Sequence, residues 1–520
     1  MKKYRIYLLI VIITHFLFLF FTGLFRHWGF LTSINDLAHF DQAIWGTLNG
    51  HFLLNTDVFN MPGSRLAMHF DPIQLIFLPL YLIHPSVVWL IAGQSLALSI
   101  AAWPIFESAK HLFKERKLAL AWAAIYLFNP FIINAANWDF HPITISVPFI
   151  SLGLLAVFKN NYKLLIFSTV FILLCKEHLG IMIAGFGVLW WIKNKNWKQS
   201  ITLILIGLSH FYIVMKIIMP LFSPTGQHLM INEGSDFGRY SWLGSSIEEV
   251  IWFILSEPIF VLKTIFIKFD GLFYLFLLLF PLLGSPLLNI LLIIPGFGDL
   301  AANMMAEITL PRSIISYHSA SLIPVLVIAG MEGITKIVKI FKKISLNKII
   351  KIILFTSIIS GYFLSSTGLP GALNFWKPNN FINLPDQRVN EIEEIIGKKS
   401  SISVQANVGP HFSQRKEIYT YPNKISDVDA IILKLESPTK NINNYFDNEK
   451  KKRQFSLRML DSHLQMDRIQ YLDSIEKLLD DEKFSIIYWD NPWLVLKKGK
   501  KNSIDIERIK KIVQMLRQEW

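Results

Sequence analysis

The chain has 520 residues, of which 52% are hydrophobic, 14% aromatic and only 17% charged. Ordinary soluble domains carry about 25% charged residues, so this balance excludes a plain soluble protein and predicts a polytopic membrane protein. The formal charge of +13 would suggest nucleic acid only if the basic residues formed a patch on a soluble face. Many of them instead sit in short loops between apolar runs, which is a topology signal, and no nucleic-acid partner is expected.

Taken in order, the chain starts with Lys2, Lys3 and Arg5 ahead of an apolar run over 6–25. Basic residues before a first span place the N-terminus in the cytoplasm. The run is long and His27, Trp28 and Phe30 follow it without a small-residue cleavage motif, so it reads as a span and not a signal peptide. Next comes Asn35–Pro72, NDLAHFDQAIWGTLNGHFLLNTDVFNMPGSRLAMHFDP, the first long break in the apolar N-terminal part. Leu37, Phe40, Ala43/Ile44 and Leu48 recur at helical spacing. The spacing predicts an amphipathic helix on the outer membrane surface, within an outer-face loop over 26–72.

Residues 73–83 are too short to cross and predict an interfacial or re-entrant helix. Further spans are expected near 86–107, 118–135, 143–158, 164–175, 179–192, 200–219, 270–284, 286–302, 320–335 and 349–366, about eleven in all. Apart from the tight turn at 284–286, the predicted inner loops between 108 and 351 are rich in lysine or arginine. Lys336, Lys339, Lys342, Lys343, Lys348 and Lys351 make the most basic of them. The lone Cys175 lies in an apolar run, so no intrachain disulfide can form. After Gly368-Leu-Pro-Gly the composition turns polar. Strand-like runs lie at 402–405, 430–435, 484–488 and 494–498, with Asp490-Asn491-Pro492 as the turn between the last two. The fold class expected is mainly α: a transmembrane helical domain over 1–366 and a small extracytoplasmic soluble α/β domain over 367–520. The last helix, near 503–518, is basic and amphipathic, and a solvated helix is favoured over one touching lipid headgroups.

The ionisable residues divide by side. Asp36, Asp41, His69, Asp71, Asp139, His141, Lys176, Glu177, His178, Arg312, Tyr317 and His318 all map to outer span ends, whereas the inner loops carry almost only lysine and arginine. Charges at a bilayer edge are costly unless paired or facing a wet cavity, so the set predicts a polar cavity opening outward. Asp36 and Asp41, five residues apart on a helix, point about 140° apart. One of them suits a general base or a metal ligand; the structural alternative makes Asp36 an N-cap, in competition with Asn35, and leaves Asp41 solvated. His69-Phe-Asp71-Pro72 and Asp139-Phe-His141-Pro142 each set an acid and a histidine before a proline-led apolar run. Helix-start chemistry accounts for the prolines and Asp71; the histidines suit a phosphate or a divalent cation (Mg or Mn), with Asp36, His69, Asp71 and Asp139 as the ligand candidates. Lys176 beside Glu177 is either an internal ion pair or a phosphate binder oriented by its acid. Arg312 and Tyr317-His318 form a second cationic candidate. Gln405, Asn407, His411 and Arg415 follow a strand and read as fold-internal. There is no GxxxxGK[ST], GxGxxG, GxSxG or HExxH.

The runs NDLAHFDQAIWGTLNGHFLLNT, HFDPIQLIFLPLYLIHP, DFHP, KEHLG, SYHSASLIPVL and SVQANVGPHFSQRKEIYTYP together resemble a prokaryotic multipass membrane family of unknown function, over about 35–420 in the same order. Many relatives in that resemblance have Tyr-Asp-Leu-Gly at Asn35-Asp36-Leu37-Ala38 and Lys-Glu-Asp at Lys176-Glu177-His178. More distantly the pattern is similar to the GT-C glycosyltransferases, such as protein mannosyltransferases and lipid A aminoarabinose transferases. The resemblance implies a polyprenyl-phosphate sugar donor and an acid right after the first span acting as catalytic base or metal-binding residue. By position that acid is Asp36, with Asp41 in reserve. His69, His141, Lys176, Glu177, Arg312, Tyr317 and His318 would then bind substrate or phosphate. The alternatives are a transporter or flippase of lipid-linked or other anionic substrates, and a structural membrane assembly protein.

Overall fold

A computed structural model describes residues 2–58, 60–227, 238–341, 345–373, 382–436, 448–499 and 506–520. Lys342 and Lys343 of the basic loop, and 228–237 of the polar loop expected over 220–246, lie outside the described residues. The molecule is mainly helical, with a small sheet near the C-terminus. Its contacts divide it into two compact units. A helical unit holds Met1–Phe21, Leu66–Gln74 and Ile91–Ser366. A sheet unit holds Thr22–Arg65, Leu75–Leu90 and Thr367–Trp520. The opening loop up to Arg65 therefore folds with the C-terminal residues.

Among the described residues, five helices are long and apolar enough to cross a membrane: Lys3–Trp28, Val88–Phe113, Trp197–Phe222, Ser285–Met305 and Leu346–Phe363. Two bent pairs raise the number to seven if each is one span. Arg116–Leu127 with Pro130–Asn137 bends by 46°, and Ile247–Ser256 with Pro258–Lys268 by 96°. Each break falls at a proline, which lacks an N–H and cannot continue the ladder. The second pair corresponds to no expected span, because Glu257-Pro258 splits its apolar pattern. Pro142–Phe158, Tyr162–Leu173 and Leu179–Asn194 are apolar but shorter, at 17, 12 and 16 residues. Helices Leu179–Asn194 and Trp197–Ile213 approach very closely. A Cβ on Gly207 would lie 2.3 Å from the Gly180 carbonyl oxygen and one on Gly187 2.7 Å from that of Ser200. Small residues at such a crossing let two backbones touch, as in membrane helix pairs.

In the sheet unit, β1 (Leu54–Asn55) and β2 (Gly63–Ser64) form a short antiparallel ribbon. The main sheet has β3 (Ile402–Val404), β4 (Ile418–Thr420), β5 (Ala430–Lys434), β6 (Phe484–Asp490) and β7 (Trp493–Lys498), in the order β4-β3-β5-β7-β6. β3 runs parallel to β4 and β5, while β7 runs antiparallel to β5 and β6. The expected turn at Asn491-Pro492 joins β6 to β7. Both faces are buried, since successive strand residues point to opposite sides. Ile431, Leu433, Leu494 and Leu496 face a core shared with helices Glu449–Leu464, Arg468–Asp480 and Ile506–Glu519. Ile402, Val404, Ile432 and Val495 face a second core that takes in Phe30, Ile34 and Ala38 of the opening loop. Gly409 sits so close to that loop that a Cβ there would meet the Ile34 Cβ at 2.8 Å. The last helix contributes Ile509, Val513 and Leu516 to the first core and pairs Lys510 with Asp480.

Candidate functional site

The sheet unit holds the opening loop's chemistry. Ser33 caps the chain as it leaves the first helix, its hydroxyl accepting from the Asn35 N–H. The N-cap therefore falls to Ser33, and not to Asp36 or Asn35 as the structural alternative had it. A π-helical turn, Ile34–Ala38, carries Asp36 and leads into the helix His39–Leu48. The extra residue of a π-turn turns the next helix's faces relative to the regular pattern. Asp36 is half-buried, whereas Asp41 is fully buried. The expectation of a solvated Asp41 on an amphipathic surface helix is thus corrected: His39, Phe40, Asp41, Gln42, Ala43, Ile44 and Gly46 are all enclosed.

The Asp41 carboxylate accepts from Tyr81 Oη at 2.7 Å, Ser413 Oγ at 2.6 Å and Gln414 Nε2 at 3.2 Å. Burial raises its pKa, and these donors oppose the rise. Beside it, Gln42 Nε2 donates to Thr56 Oγ1 at 3.0 Å and to the Arg415 carbonyl at 3.1 Å. Thr56 and Asp57 then close the open edge of β4. The Thr56 hydroxyl donates to the Ile418 carbonyl and accepts from its N–H, and Asp57 accepts from the Thr420 N–H at 2.5 Å and hydroxyl at 2.9 Å. His39 Nε2 lies 3.5 Å from Asp57 Oδ2. Burial pushes the Asp57 carboxyl up, but His39 and the Thr420 donors outweigh it and hold it below the usual carboxylate range.

Gln405, Asn407, His411 and Arg415 serve the fold. Tyr471 Oη donates to Gln405, Asn407 donates to the Phe30 carbonyl, and the His411 ring bonds the His27 carbonyl and stacks on that of His27. Arg415 is enclosed and pairs with Glu393. Of these interactions the sequence pattern could not supply Tyr81, Ser413 or the His39–Asp57 pair, because their partners lie far along the chain.

The helical unit holds the other candidates. Glu177, at the turn between Tyr162–Leu173 and Leu179–Asn194, accepts from His69 Nδ1 and the Phe70 N–H, each at 3.1 Å. Burial would raise its pKa, yet His69, then Lys176 and His178, hold it well below the usual value. His178 Nε2 lies 3.4 Å from Asp299 Oδ1, and Ser321 Oγ donates to the other Asp299 oxygen. Asp299 was not anticipated. The available signal was a single carboxylate inside the apolar run 285–305. One turn on, Asn303 Nδ2 donates to Tyr274 Oη at 3.0 Å and to the His318 carbonyl at 3.3 Å. His141 stacks on Tyr317 with 3.4 Å between ring centroids, Tyr317 stacks on His318, and Arg239 Nη1 lies 3.3 Å from His318 Nε2.

Thus His69, Lys176, Glu177 and His178 gather at one turn, and His141, Tyr317 and His318 form an aromatic stack. Others serve locally. Asp71 accepts from Gln74 at a helix start, as its position before Pro72 suggested. The Asp139 carbonyl accepts from His141 Nδ1, and Asp139 is buried. Arg312 Nη1 bonds the carbonyls of Asn303, Met304 and Ala306, capping the C-terminus of Phe297–Met305. Among the described residues no group of three or more His, Cys, Asp or Glu side chains is placed to hold a metal ion.

Apolar helices of spanning length, broken helices and buried acid–histidine pairs define a polytopic membrane protein with a C-terminal sheet unit. The chain belongs to the family described as predicted membrane protein (DUF2079), whose sequence model matches residues 26–471. No curated protein matches the chain.

Proposed function

We propose that the protein is a membrane-embedded glycosyltransferase of the GT-C kind, which moves a sugar from a polyprenyl-phosphate donor to an extracytoplasmic acceptor with inversion. The observation that supports it best is the contrast between the loop's two acids. A general base must reach the proton that it takes. Asp41 is enclosed by three donors, whereas Asp36 is half-exposed on a π-helical turn. In the proposed step Asp36 takes the acceptor hydroxyl proton as that oxygen bonds the anomeric carbon. The bond from that carbon to the phosphate oxygen breaks, and the lipid phosphate leaves with the electron pair. Lys176 is the group assigned to its developing charge, with His69 and Glu177 fixing that turn. His141, Tyr317 and His318 are assigned to donor binding. Asp41 becomes a positioning residue. The topology proposed with this reading is a plasma-membrane protein of about eleven crossings, N-terminus cytoplasmic and C-terminal residues outside.

The test is turnover of a polyprenyl-phosphate sugar in proteoliposomes. Asp36→Asn is expected to reduce turnover at least about a hundredfold, the usual scale of a general base. Near wild-type turnover in that variant sinks the base assignment. A second reading, a transporter or flippase, is favoured by Asp299 inside an apolar span and by the 46° and 96° breaks, since broken helices and intramembrane acids are features of transporters. Movement of a fluorescent lipid-linked sugar across the bilayer without sugar transfer would establish that reading instead.

A further inference from the structure

The sheet unit contains a cleft of about 530 Å³ between the end of the first helix, the start of helix Arg388–Ile396 and the end of β5. That volume lies in the range of small-molecule sites, roughly 300–1,000 Å³. Its wall groups are mainly polar, and their partners fix their geometry. Asp386 accepts from Arg388 Nε at 2.8 Å, from Arg388 Nη2 at 2.9 Å and from Trp493 Nε1 at 2.9 Å. Tyr488 Oη donates to Glu391 at 2.9 Å. Lys434 Nζ lies 4.6 Å from the Phe30 ring centroid and pairs with Glu436. Trp28 supplies an aromatic wall. The floor is shaped by Gly29, where a Cβ would meet Asn383 Nδ2 at 2.5 Å and displace the amide that bonds the Phe25 carbonyl.

Charge and polarity narrow the ligand. Asp386, Glu391 and Glu436 outnumber Arg388 and Lys434 among the lining residues. The helix start that would attract an anion is already capped by Asp386, which accepts from the Arg388 N–H at 3.1 Å. An anionic ligand is therefore disfavoured, and an apolar one would take water from the charged wall groups and give no polar contact in return. A ligand bearing many hydroxyls can donate to the carboxylates and accept from the guanidinium, amide and amine at once. Its CH face can lie against an indole ring.

We propose that this cleft binds a neutral saccharide. The identification of that saccharide as the acceptor rests on the transferase reading above, whereas the binding does not. The test uses the whole protein in nanodiscs and saturation-transfer NMR against neutral hexoses, N-acetylhexosamines and their disaccharides, with glucuronate and inorganic phosphate as anionic probes. At least one neutral sugar is expected to bind, with affinity lowered about tenfold by Trp28→Ala and lowered by Glu391→Gln, a change on the exposed rim that leaves the fold intact. Binding should persist in Asp36→Asn, so that failure of the transferase reading and failure of the cleft are separable. No neutral sugar bound, tighter binding of glucuronate or phosphate, or binding indifferent to both cleft variants would each overturn the proposal.

Discussion

At the scale of single residues, Asp41 and Lys434 make the sharpest predictions. Asp41→Ala leaves the buried Tyr81 and Ser413 hydroxyls without their acceptor. An unsatisfied buried group costs about 1–3 kcal/mol, so a loss of about 3 kcal/mol is expected, read as a lower melting temperature of the detergent-solubilised protein. An unchanged melting temperature would show that the network is dispensable. Lys434 is pushed down to about 8 by burial. Its folded pKa lies below the unfolded one, so the unfolded chain holds more protons above pH 8, and this group's contribution to stability rises with pH from about 8 to 10. Amine acylation followed by mass spectrometry should give a midpoint near 8 at Lys434. The angular separation of Asp36 and Asp41 was legible from their spacing. Which one is enclosed was not, because Ser413 lies 372 residues from Asp41 and Tyr81 lies 40 away. A local periodicity contains no record of such partners.

At the scale of elements, the edge of β4 is held by side chains. A bare strand edge invites pairing with another chain, and here the hydroxyl of Thr56 and the carboxylate of Asp57 occupy it. Asp57→Ala should speed hydrogen exchange at the Thr420 amide while leaving β5–β7 protected. Because the folded Asp57 carboxyl lies below its unfolded value, its stabilisation is complete above about pH 4 and is lost as pH falls through the folded value. The crossing of Leu179–Asn194 with Trp197–Ile213 makes a second prediction. Gly207→Val drives a side chain into the Gly180 carbonyl, so the helices must part; a collapse of the monodisperse peak in size-exclusion chromatography is expected. β3, β5, β6 and β7 could be read as short strand-like apolar runs, and the turn between the last two from Asn491-Pro492. β4 was missed because EIYTYP sets only Ile418 and Tyr419 as adjacent apolar residues, between Glu417 and Thr420 and close before Pro422. The bent pair Ile247–Lys268 was missed because Glu257-Pro258 interrupts its apolar run.

At the scale of the molecule, the proposed topology is open to cysteine labelling, since Cys175 is the sole cysteine and is buried. In a Cys175→Ser background, Ser345→Cys is expected to react only from the cytoplasmic side and Glu482→Cys only from the outside. Labelling of both from one side would mean that no single crossing lies between them and would overturn the proposed topology. Composition revealed the membrane class at once. The span count was less legible, because helices of 12 to 17 residues are apolar without having the length of a full crossing.

The composition of the sheet unit also sets a timetable for synthesis. Thr56 bonds Ile418 across 362 residues of chain, and Gln42 bonds Arg415 across 373. At roughly 5–20 residues per second, the ribosome needs about twenty seconds to over a minute to deliver those partners. Until then Asp41 has Tyr81 but lacks Ser413 and Gln414, and Gln42 has Thr56 but lacks the Arg415 carbonyl. A message cut short before residue 367 would yield a chain whose opening loop never finds its sheet. Proteases that survey new membrane proteins should clear that product far faster than the full-length chain, and a pulse-chase comparison of the two would measure the difference.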